Sequence, residues 1–537
     1  MAPLEIVLIL LAAVVVSGAF AHMLPLPVPV PLVQIALGVC VAAVANLGVR
    51  LDPQLFFVLF LPPLLFFDGW RLPKASLLRD KGAILALALG LVVFTVLGVG
   101  LLVHWMIPAM PLAVAFALAA VISPTDPVAV KAIAARVPVP KRLMRLLEGE
   151  ALLNDASGLV CLRFAVAAAL TGTFSLANAI GSFVWVSAGG LAAGFAVTAL
   201  AGQAKGWLSR RYGEDVGAQI LISLLIPFGA YFLADLAGAS GILAAVAAGI
   251  TMSYVEQGGG ALAETRVRRS AVWETIQFGA SGVIFILLGE QLPRIASRAA
   301  DVVHEAGHAQ VCWLLLYVAA ITFGVAALRF AWVWVLVRVA LGRAPGCRLV
   351  AALTVAGVRG TVTLAGMLSL PFMLSDGSPF PVRDLAVFLA AGVIITSLVA
   401  ATVLLPGLLR HLDFAAEPGE EAAEDSARVA AGEAALAAIA HAQNGLATAP
   451  GDADLGAEAA TRAMAPYRQR IDALSRSGAD RDLARRIDGL ERKLELVGMR
   501  AERDRLLQLV RSGRLSDEVA RKLVREVDLV EARIGAP

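Results

Sequence analysis

Long apolar runs separated by short polar connections fill the chain up to about residue 410. A bilayer core about 30 Å thick requires roughly 20 apolar residues in a helix. Counted in this way, the pattern predicts about 13 membrane-spanning helices. They are expected at residues 4–21, 30–48, 53–69, 81–105, 111–134, 141–170, 178–203, 216–235, 239–255, 271–291, 311–340, 348–374 and 384–410. The pattern therefore predicts an all-α polytopic membrane protein.

The composition changes near Asp413, beyond which no apolar run is long enough to span a membrane. We therefore expect a transmembrane domain over residues 1–412 and an α-helical cytoplasmic tail over residues 413–537. Within the tail, apolar residues alternate by four and three along a short heptad stripe, formed by Leu483, Ile487, Leu490, Leu494 and Val497. Such a stripe is typical of a helical hairpin that packs on itself, or of a coiled-coil or regulatory contact.

Basic residues are unequally divided between alternate connections of the membrane part. Roughly 17 Lys and Arg residues lie in one set of loops and roughly 4 in the other, a strong positive-inside signal. The signal predicts a multi-pass protein of the plasma (inner) membrane with its N-terminus outside and its tail in the cytoplasm. An odd number of spans agrees with this orientation.

The overall composition supports a bilayer partner and excludes several others. Hydrophobic residues make up 59% of the chain and charged residues 16%, whereas soluble proteins have about 45–50% and about 25%. The formal net charge of +3 is too small to indicate a nucleic-acid partner. The four cysteines show no paired spacing, so we expect neither a disulfide framework nor a zinc site. We also expect no cofactor.

A first polar interruption, Ser123-Pro124-Thr125-Asp126-Pro127, lies inside the fifth predicted span. Pro127 removes a helix donor, and Asp126 before it is biased towards extended backbone. A membrane helix that breaks here frees backbone groups, which is tolerated only where they line a cavity or are buried in protein. The plainer interpretation is a proline kink with a capping aspartate.

A second group of polar residues opens the sixth predicted span, where Glu150, Asn154 and Asp155 precede a long apolar run. An aspartate in water has a pKa near 3.9, and burial or a neighbouring carboxylate raises the pKa of such an acid. An acid tuned in this way can hold a proton or a desolvated cation, but not both. We therefore predict that Asp155 carries these two ions alternately; the plainer interpretation is a buried aspartate in a structural pair.

Two arginines lie deep in later spans. Each of Arg329 and Arg359 needs an anionic partner or helix C-terminal carbonyls to be tolerated there. We expect Arg329 to pair with Glu150, and Arg359, flanked by Gly357 and Gly360, to complement the dipoles of broken helices. The two interrupted spans fall at corresponding places in two halves of the chain, which is the pattern of a transporter built from inverted repeats.

Four segments together resemble the monovalent cation:proton antiporter-1 family, which includes the NhaP-like and eukaryotic sodium/proton exchangers. They are Leu61-Pro62-Pro63-Leu64-Leu65-Phe66, Ser123-Pro124-Thr125-Asp126-Pro127, Glu150 to Asp155, and Gly357-Val358-Arg359-Gly360. The tail is similar to the cytoplasmic extension of some bacterial members. The resemblance implies a secondary transporter with an NhaA-like fold and two unwound crossing helices, which exchanges Na⁺, K⁺ or Li⁺ for H⁺. It further implies a homodimer whose core domain moves like an elevator.

The resemblance also assigns site residues. It implies that Asp155 binds the cation and the proton in turn, and that Asp126, the Thr125 backbone and the region of Glu150 and Asn154 complete or brace the site. Relatives with two aspartates in place of Asn154 and Asp155 tend to be electrogenic, so a single titrating acid implies electroneutral exchange.

One position departs from the pattern of several relatives. They have a serine ligand where this chain has Ala151, which offers no oxygen. Water or Ser157 could compensate, and the preference for sodium or potassium stays open.

Two alternatives of other classes remain. His304-Glu305-Ala306-Gly307-His308 matches the HExxH pattern of zinc proteases, but it lies between predicted spans on the outer side, without a third ligand. A cation channel or symporter on the same fold is the other alternative. We expect a transporter and not an enzyme.

Overall fold

The structure is a computed structural model. It describes residues 3–23, 28–45, 53–71, 81–126, 130, 141–171, 176–257, 262–305, 312–341, 346–374, 378–410, 418–446, 452–475, 479–512 and 514–535. Contacts divide the chain into two compact units, Met1–Asp413 and Phe414–Pro537. The described residues contain no β-strand, only an isolated bridge between Met373 and Pro379.

The first unit is built of α-helices, with a π-helical turn at Ala86–Gly90 between α4 and α5. In chain order they are α1 (Pro3–Met23), α2 (Val30–Ala45), α3 (Pro53–Arg71), α4 (Lys81–Leu85), α5 (Leu91–Met106), α6 (Leu112–Ile122), α7 (Lys141–Thr171), α8 (Leu176–Tyr212), α9 (Val216–Leu236), α10 (Gly241–Gln257), α11 (Ala263–Glu305), α12 (Cys312–Leu341), α13 (Cys347–Val355), α14 (Thr361–Leu368) and α15 (Arg383–Leu409).

Eight helical segments within the described residues are long and apolar enough to cross a membrane, and three more apolar helices are shorter. The prediction of an all-helical membrane protein is therefore confirmed, while the number thirteen stays a prediction. Helix α3 continues through Pro62 and Pro63. Two predicted spans are interrupted: the run at 111–134 is helical only as far as Ile122 within its first described stretch, and the run at 348–374 is divided into α13 and α14.

Helix α6 lies at the centre of the first unit, and its residues 117–122 are all buried. A helix that is apolar all round is typical of such a central position. The residues that follow α6 therefore leave the helix inside the protein, where exposed backbone groups need partners.

Small residues allow the outer helices to approach closely. A Cβ at Gly38 of α2 would lie 2.8 Å from the Cα of Gly289 in α11, so the two helices contact each other backbone to backbone. Without a strong hydrophobic driving force between helices in lipid, such close packing is a main source of association.

The second unit contains α16 (Pro418–Leu446), α17 (Asp452–Ser475), α18 (Ala479–Arg511) and α19 (Asp517–Gly535). Ser516 caps α19 by accepting a hydrogen bond from the Val519 amide. Arg503 of α18 pairs with Asp528 and Glu531 of α19, so these two helices form a hairpin. The heptad stripe is not the surface that joins them, because each of its five side chains is more than half exposed.

Candidate functional site

The two interrupted segments meet at Asp126. Its backbone amide donates a hydrogen bond of 2.7 Å to the Val358 carbonyl, which lies between α13 and α14. Its carboxylate Oδ2 accepts a bond of 3.3 Å from the amide of Thr361, the first residue of α14. A Cβ at Gly360 would overlap the Asp126 carboxylate. Only glycine therefore permits this approach, and the carboxylate lies where a helix N-terminus favours negative charge.

Arg359 also joins the two interrupted segments. Its Nη1 donates to the carbonyls of Ser123 and Pro124 at 2.7 and 2.9 Å, just beyond the last turn of α6. Its backbone amide donates to Ser397 Oγ of α15 at 3.2 Å. The guanidinium is 2% exposed, so it supplies donors to helix-end carbonyls that water does not reach.

Glu150 and Arg329 form a buried ion pair between α7 and α12. Both carboxylate oxygens accept from the guanidinium, with 2.8 Å between Nη2 and Oε2. The remaining Nε donates to the Leu353 carbonyl at 3.1 Å. The two residues are 1% and 2% exposed, and such bidentate, fully hydrogen-bonded geometry is what a buried ion pair needs to be tolerated.

A short hydrogen-bond chain joins Asn154 to this pair. Asn154 Nδ2 donates to Thr125 Oγ1 at 2.9 Å, and Thr125 Oγ1 donates to Glu150 Oε1 at 3.2 Å. All three side chains are buried. The Asn154 Oδ1 atom is buried without a hydrogen-bond partner among the described residues, which leaves one amide oxygen available to a ligand.

Asp155 follows on the same helix and has a different environment. It is half-buried, and no hydrogen bond or ion pair joins it to another residue that the structure describes. Among the described residues, the carboxylates of Asp126 and Asp68 lie near enough to act on its charge. A Cβ at Gly158 would overlap Pro124, so α7 packs tightly on the segment after α6 and holds Asp155 close to Asp126.

Ser157 and Ala151 complete the residues considered from sequence. The Ser157 hydroxyl donates to the Leu153 carbonyl of its own helix at 2.7 Å, so its oxygen keeps only lone pairs for another contact. Ala151 is buried and offers no side-chain oxygen.

Asp68 near the end of α3 was missed by the sequence analysis. Gln277 of α11 donates a hydrogen bond of 3.3 Å to Asp68 Oδ1. The negative charge of Asp68 also acts on Asp155. A signal was available, because Asp68 is an ionisable residue at the end of an apolar run, directly after the Leu61–Phe66 segment. The HExxH pattern cannot be placed: His308 and the side chains of His304 and Glu305 lie outside the described residues.

Comparisons with known proteins give matches over most of the chain. The family model described as "Sodium/hydrogen exchanger, transmembrane" matches residues 8–411. The chain belongs to this family. Sodium/hydrogen exchangers are cation/proton antiporters, that is, multi-pass membrane transporters and not enzymes, so the zinc protease alternative is not favoured.

Two relatives illustrate the similarity over nearly the whole chain. An uncharacterized Na⁺/H⁺ exchanger of Escherichia coli, YjcE, is 39% identical over 98% of this chain and 98% of its own length. A sodium, potassium, lithium and rubidium/H⁺ antiporter of Bacillus subtilis is 40% identical over 99% of this chain and 78% of its own length.

Among solved structures, the sodium proton antiporter MjNhaP1 of Methanocaldococcus jannaschii has the same fold. It superposes with a TM-score of 0.58 at 17% identity, over 76% of this chain and 98% of that chain.

Proposed function

We propose that this protein exchanges a monovalent cation for H⁺ across the plasma membrane and so serves pH and sodium homeostasis, with Asp155 as the carrier. Membership of the sodium/hydrogen exchanger family supports the reaction. The observation that carries the assignment is that Asp155 lacks a fixed cationic partner among the described residues while another carboxylate, Asp126, acts on it. Because uncompensated charge inside a membrane is costly, Asp155 takes a mobile cation, either H⁺ or a metal ion.

The charge of the site supports exchange of one ion for one proton. Glu150 is neutralised by Arg329, and the Asp126 carboxylate accepts a hydrogen bond from the Thr361 amide. Asp155 is the acid of the site that has no fixed partner among the described residues. One proton or one monovalent cation at a time therefore binds to Asp155, and exchange is electroneutral.

The neighbouring residues have separate tasks in this proposal. Asp126, fixed by the Val358 carbonyl and the Thr361 amide, presents a second carboxylate to the cation. Thr125 and Asn154 add oxygen ligands, the Asn154 Oδ1 atom being without a partner among the described residues. Both oxygens of Glu150 already accept from Arg329, so Glu150 braces the site.

The choice of cation follows from the small number of oxygen ligands. Ala151 supplies none, while the Ser157 hydroxyl donates to the Leu153 carbonyl and keeps lone pairs that can coordinate a cation. A site completed by water discriminates weakly between ions of one charge. We therefore propose that Na⁺, K⁺ and Li⁺ are all accepted, in keeping with the Bacillus subtilis relative, whose name includes these ions.

The arrangement in the membrane belongs to the same proposal. Thirteen spans, as predicted, would place the N-terminus outside and residues 413–537 in the cytoplasm. Inverted repeats would relate the interrupted segments after α6 and between α13 and α14, which cross at the site. The protein would act as a homodimer with an elevator-like movement of the core that carries Asp155.

The decisive test is Asp155→Asn in everted membrane vesicles. Because an amide can neither hold the proton nor supply the charge, the variant should show no cation-induced dequenching of a pH-sensitive dye. Asp235→Asn, which removes an exposed carboxylate from α9, should leave exchange unchanged. Exchange at the wild-type rate in Asp155→Asn would refute the carrier role.

Proteoliposomes test the remaining claims. Under a clamped membrane potential, the initial rate should not depend on the potential, and Na⁺, K⁺ and Li⁺ should each drive H⁺ movement. Counterflow should require an ion on the opposite side; cation flux without a countersubstrate would instead identify a channel.

A further inference from the structure

The heptad stripe of α18 is an apolar surface that no other described residue of the tail covers. Its five side chains, at positions 483, 487, 490, 494 and 497, are each more than half exposed. Farther along the helix, Arg503 is engaged with Asp528 and Glu531 of α19. The hairpin therefore occupies the C-terminal part of α18 and leaves the N-terminal part bare.

The spacing of the stripe matches a coiled coil. Leu483, Leu490 and Val497 recur every seven residues and take the d positions, while Ile487 and Leu494 take the a positions. A repeat of 3.5 residues per turn keeps such side chains towards a second helix over their whole length. Ile at a with Leu at d, as at the start of the stripe, favours two strands.

The flanking charges select both the partner and its direction. Basic residues, Arg486, Lys493 and Arg500, occupy the g positions, and Glu491 occupies an e position; all four are exposed. In a parallel pair of identical helices, the g residue of one heptad lies beside the e residue of the next on the other strand. Arg486 of each copy then faces Glu491 of the other, whereas an antiparallel pair brings the basic g positions together.

We propose that the heptad stripes of two copies of this chain pair as a parallel two-stranded coiled coil, which joins the tails of a dimer. A second copy satisfies the apolar spacing and the charge of Arg486 at once. A lipid surface would accept the basic residues but gives no role to Glu491 or to the seven-residue repeat. The inference concerns assembly and does not depend on the proposed exchange reaction.

Disulfide cross-linking of the full-length protein in membranes tests the proposal. The four native cysteines, Cys40, Cys161, Cys312 and Cys347, are first replaced by serine, and exchange is measured to verify the background. Single variants Leu483→Cys, Leu490→Cys and Val497→Cys are then oxidised. Because d positions of parallel helices face their own counterparts at a separation that a disulfide can bridge, all three should give covalent dimers.

Arg492→Cys is the matched control, because it lies on the same exposed helix but on the face away from the stripe. It should cross-link several-fold less than Leu490→Cys. Equal yields at both positions, or no dimer at the three d positions, would overturn the coiled coil and leave a lipid surface or another protein as the occupant. A dimer at only one d position would mean antiparallel pairing and would also overturn the proposal.

A charge exchange tests the register independently. In the Leu490→Cys background, Arg486→Glu should lower the yield of dimer several-fold, because it places two acids side by side. Adding Glu491→Arg should restore the yield, since the attraction is then reversed in sign but intact. Failure of the second change to restore cross-linking, in a protein that still exchanges ions, would contradict the parallel register.

Discussion

Two carboxylates of helix α7, Glu150 and Asp155, differ in their exposure and in their partners. Glu150 is 1% exposed and accepts hydrogen bonds from Arg329 and Thr125. Asp155 is half-buried, has no ion pair among the described residues, and is acted on by other carboxylates. A carboxylate in bidentate contact with a guanidinium is already neutralised, so it has no tendency to bind and release a further cation. The comparison therefore supports the proposal that Asp155, which has no ion pair among the described residues, is the acid that carries ions.

The largest effect on stability is expected when Glu150 loses its guanidinium partner and so, like Asp155, has no ion pair. Arg329→Met removes its guanidinium partner and leaves a buried charge uncompensated, which costs about 3–5 kcal/mol of stability. The midpoint of thermal denaturation in detergent should fall sharply, and exchange should fall with it. Arg338→Met is the control, because Arg338 lies on the same helix but is exposed beside Trp334.

The double variant separates charge from packing. Adding Glu150→Gln to Arg329→Met removes the unpaired charge, so it should recover much of the lost thermal stability. A double variant that is less stable than Arg329→Met would contradict the assignment of the pair as a brace.

An intermediate effect is expected when the hydrogen-bond chain that joins Asn154 to Glu150 is cut. Thr125→Val removes the hydroxyl that accepts from Asn154 and donates to Glu150. Leaving these buried groups unsatisfied costs about 1–3 kcal/mol, and the apparent KM for the cation should rise. Thr125→Ser keeps the hydroxyl and should restore the KM in transport assays; an equal defect in both variants would place the effect in the methyl group.

The smallest effect is expected at Asp68, which acts on Asp155 and leaves the Glu150 pair untouched. Asp68→Asn removes one negative charge near the cation, a loss of about 1 kcal/mol that raises the apparent KM roughly five-fold. Thermal stability should change little, and Asp235→Asn should leave the KM unchanged. An unaltered KM in Asp68→Asn would show that its charge does not reach the transported ion.

Local sequence was sufficient to predict that the membrane part is helical and where α6 and α13 end. Apolar runs predicted the spans, and the prolines around Asp126 together with Gly357 and Gly360 predicted interruptions where α6 ends and where α13 and α14 are separated. These features depend on residues close together in the chain. The number of spans was less accessible, since interrupted helices are too short to satisfy a length rule.

The partners of the buried charges were less accessible from sequence. Depth in the membrane suggested Glu150 for Arg329, and the two lie in contact. The sequence analysis assigned no role to Asp68, because Asp68 and Asp155 lie on different helices, α3 and α7, and only the fold brings them near each other. Likewise the stripe on α18 was visible as a repeat, but only the folded tail shows that α19 leaves it uncovered.

The sequence by itself determined that this chain forms membrane helices, that two of them are interrupted, and that acids and arginines lie within them. Those properties follow from apolar run length and from the backbone limits of proline and glycine. The tertiary structure decided the contacts of these side chains: Glu150 forms an ion pair with Arg329, whereas Asp155 has no ion pair among the described residues. Pairing of charges depends on contacts between residues far apart in the chain, such as Glu150 and Arg329, and no local pattern specifies those contacts.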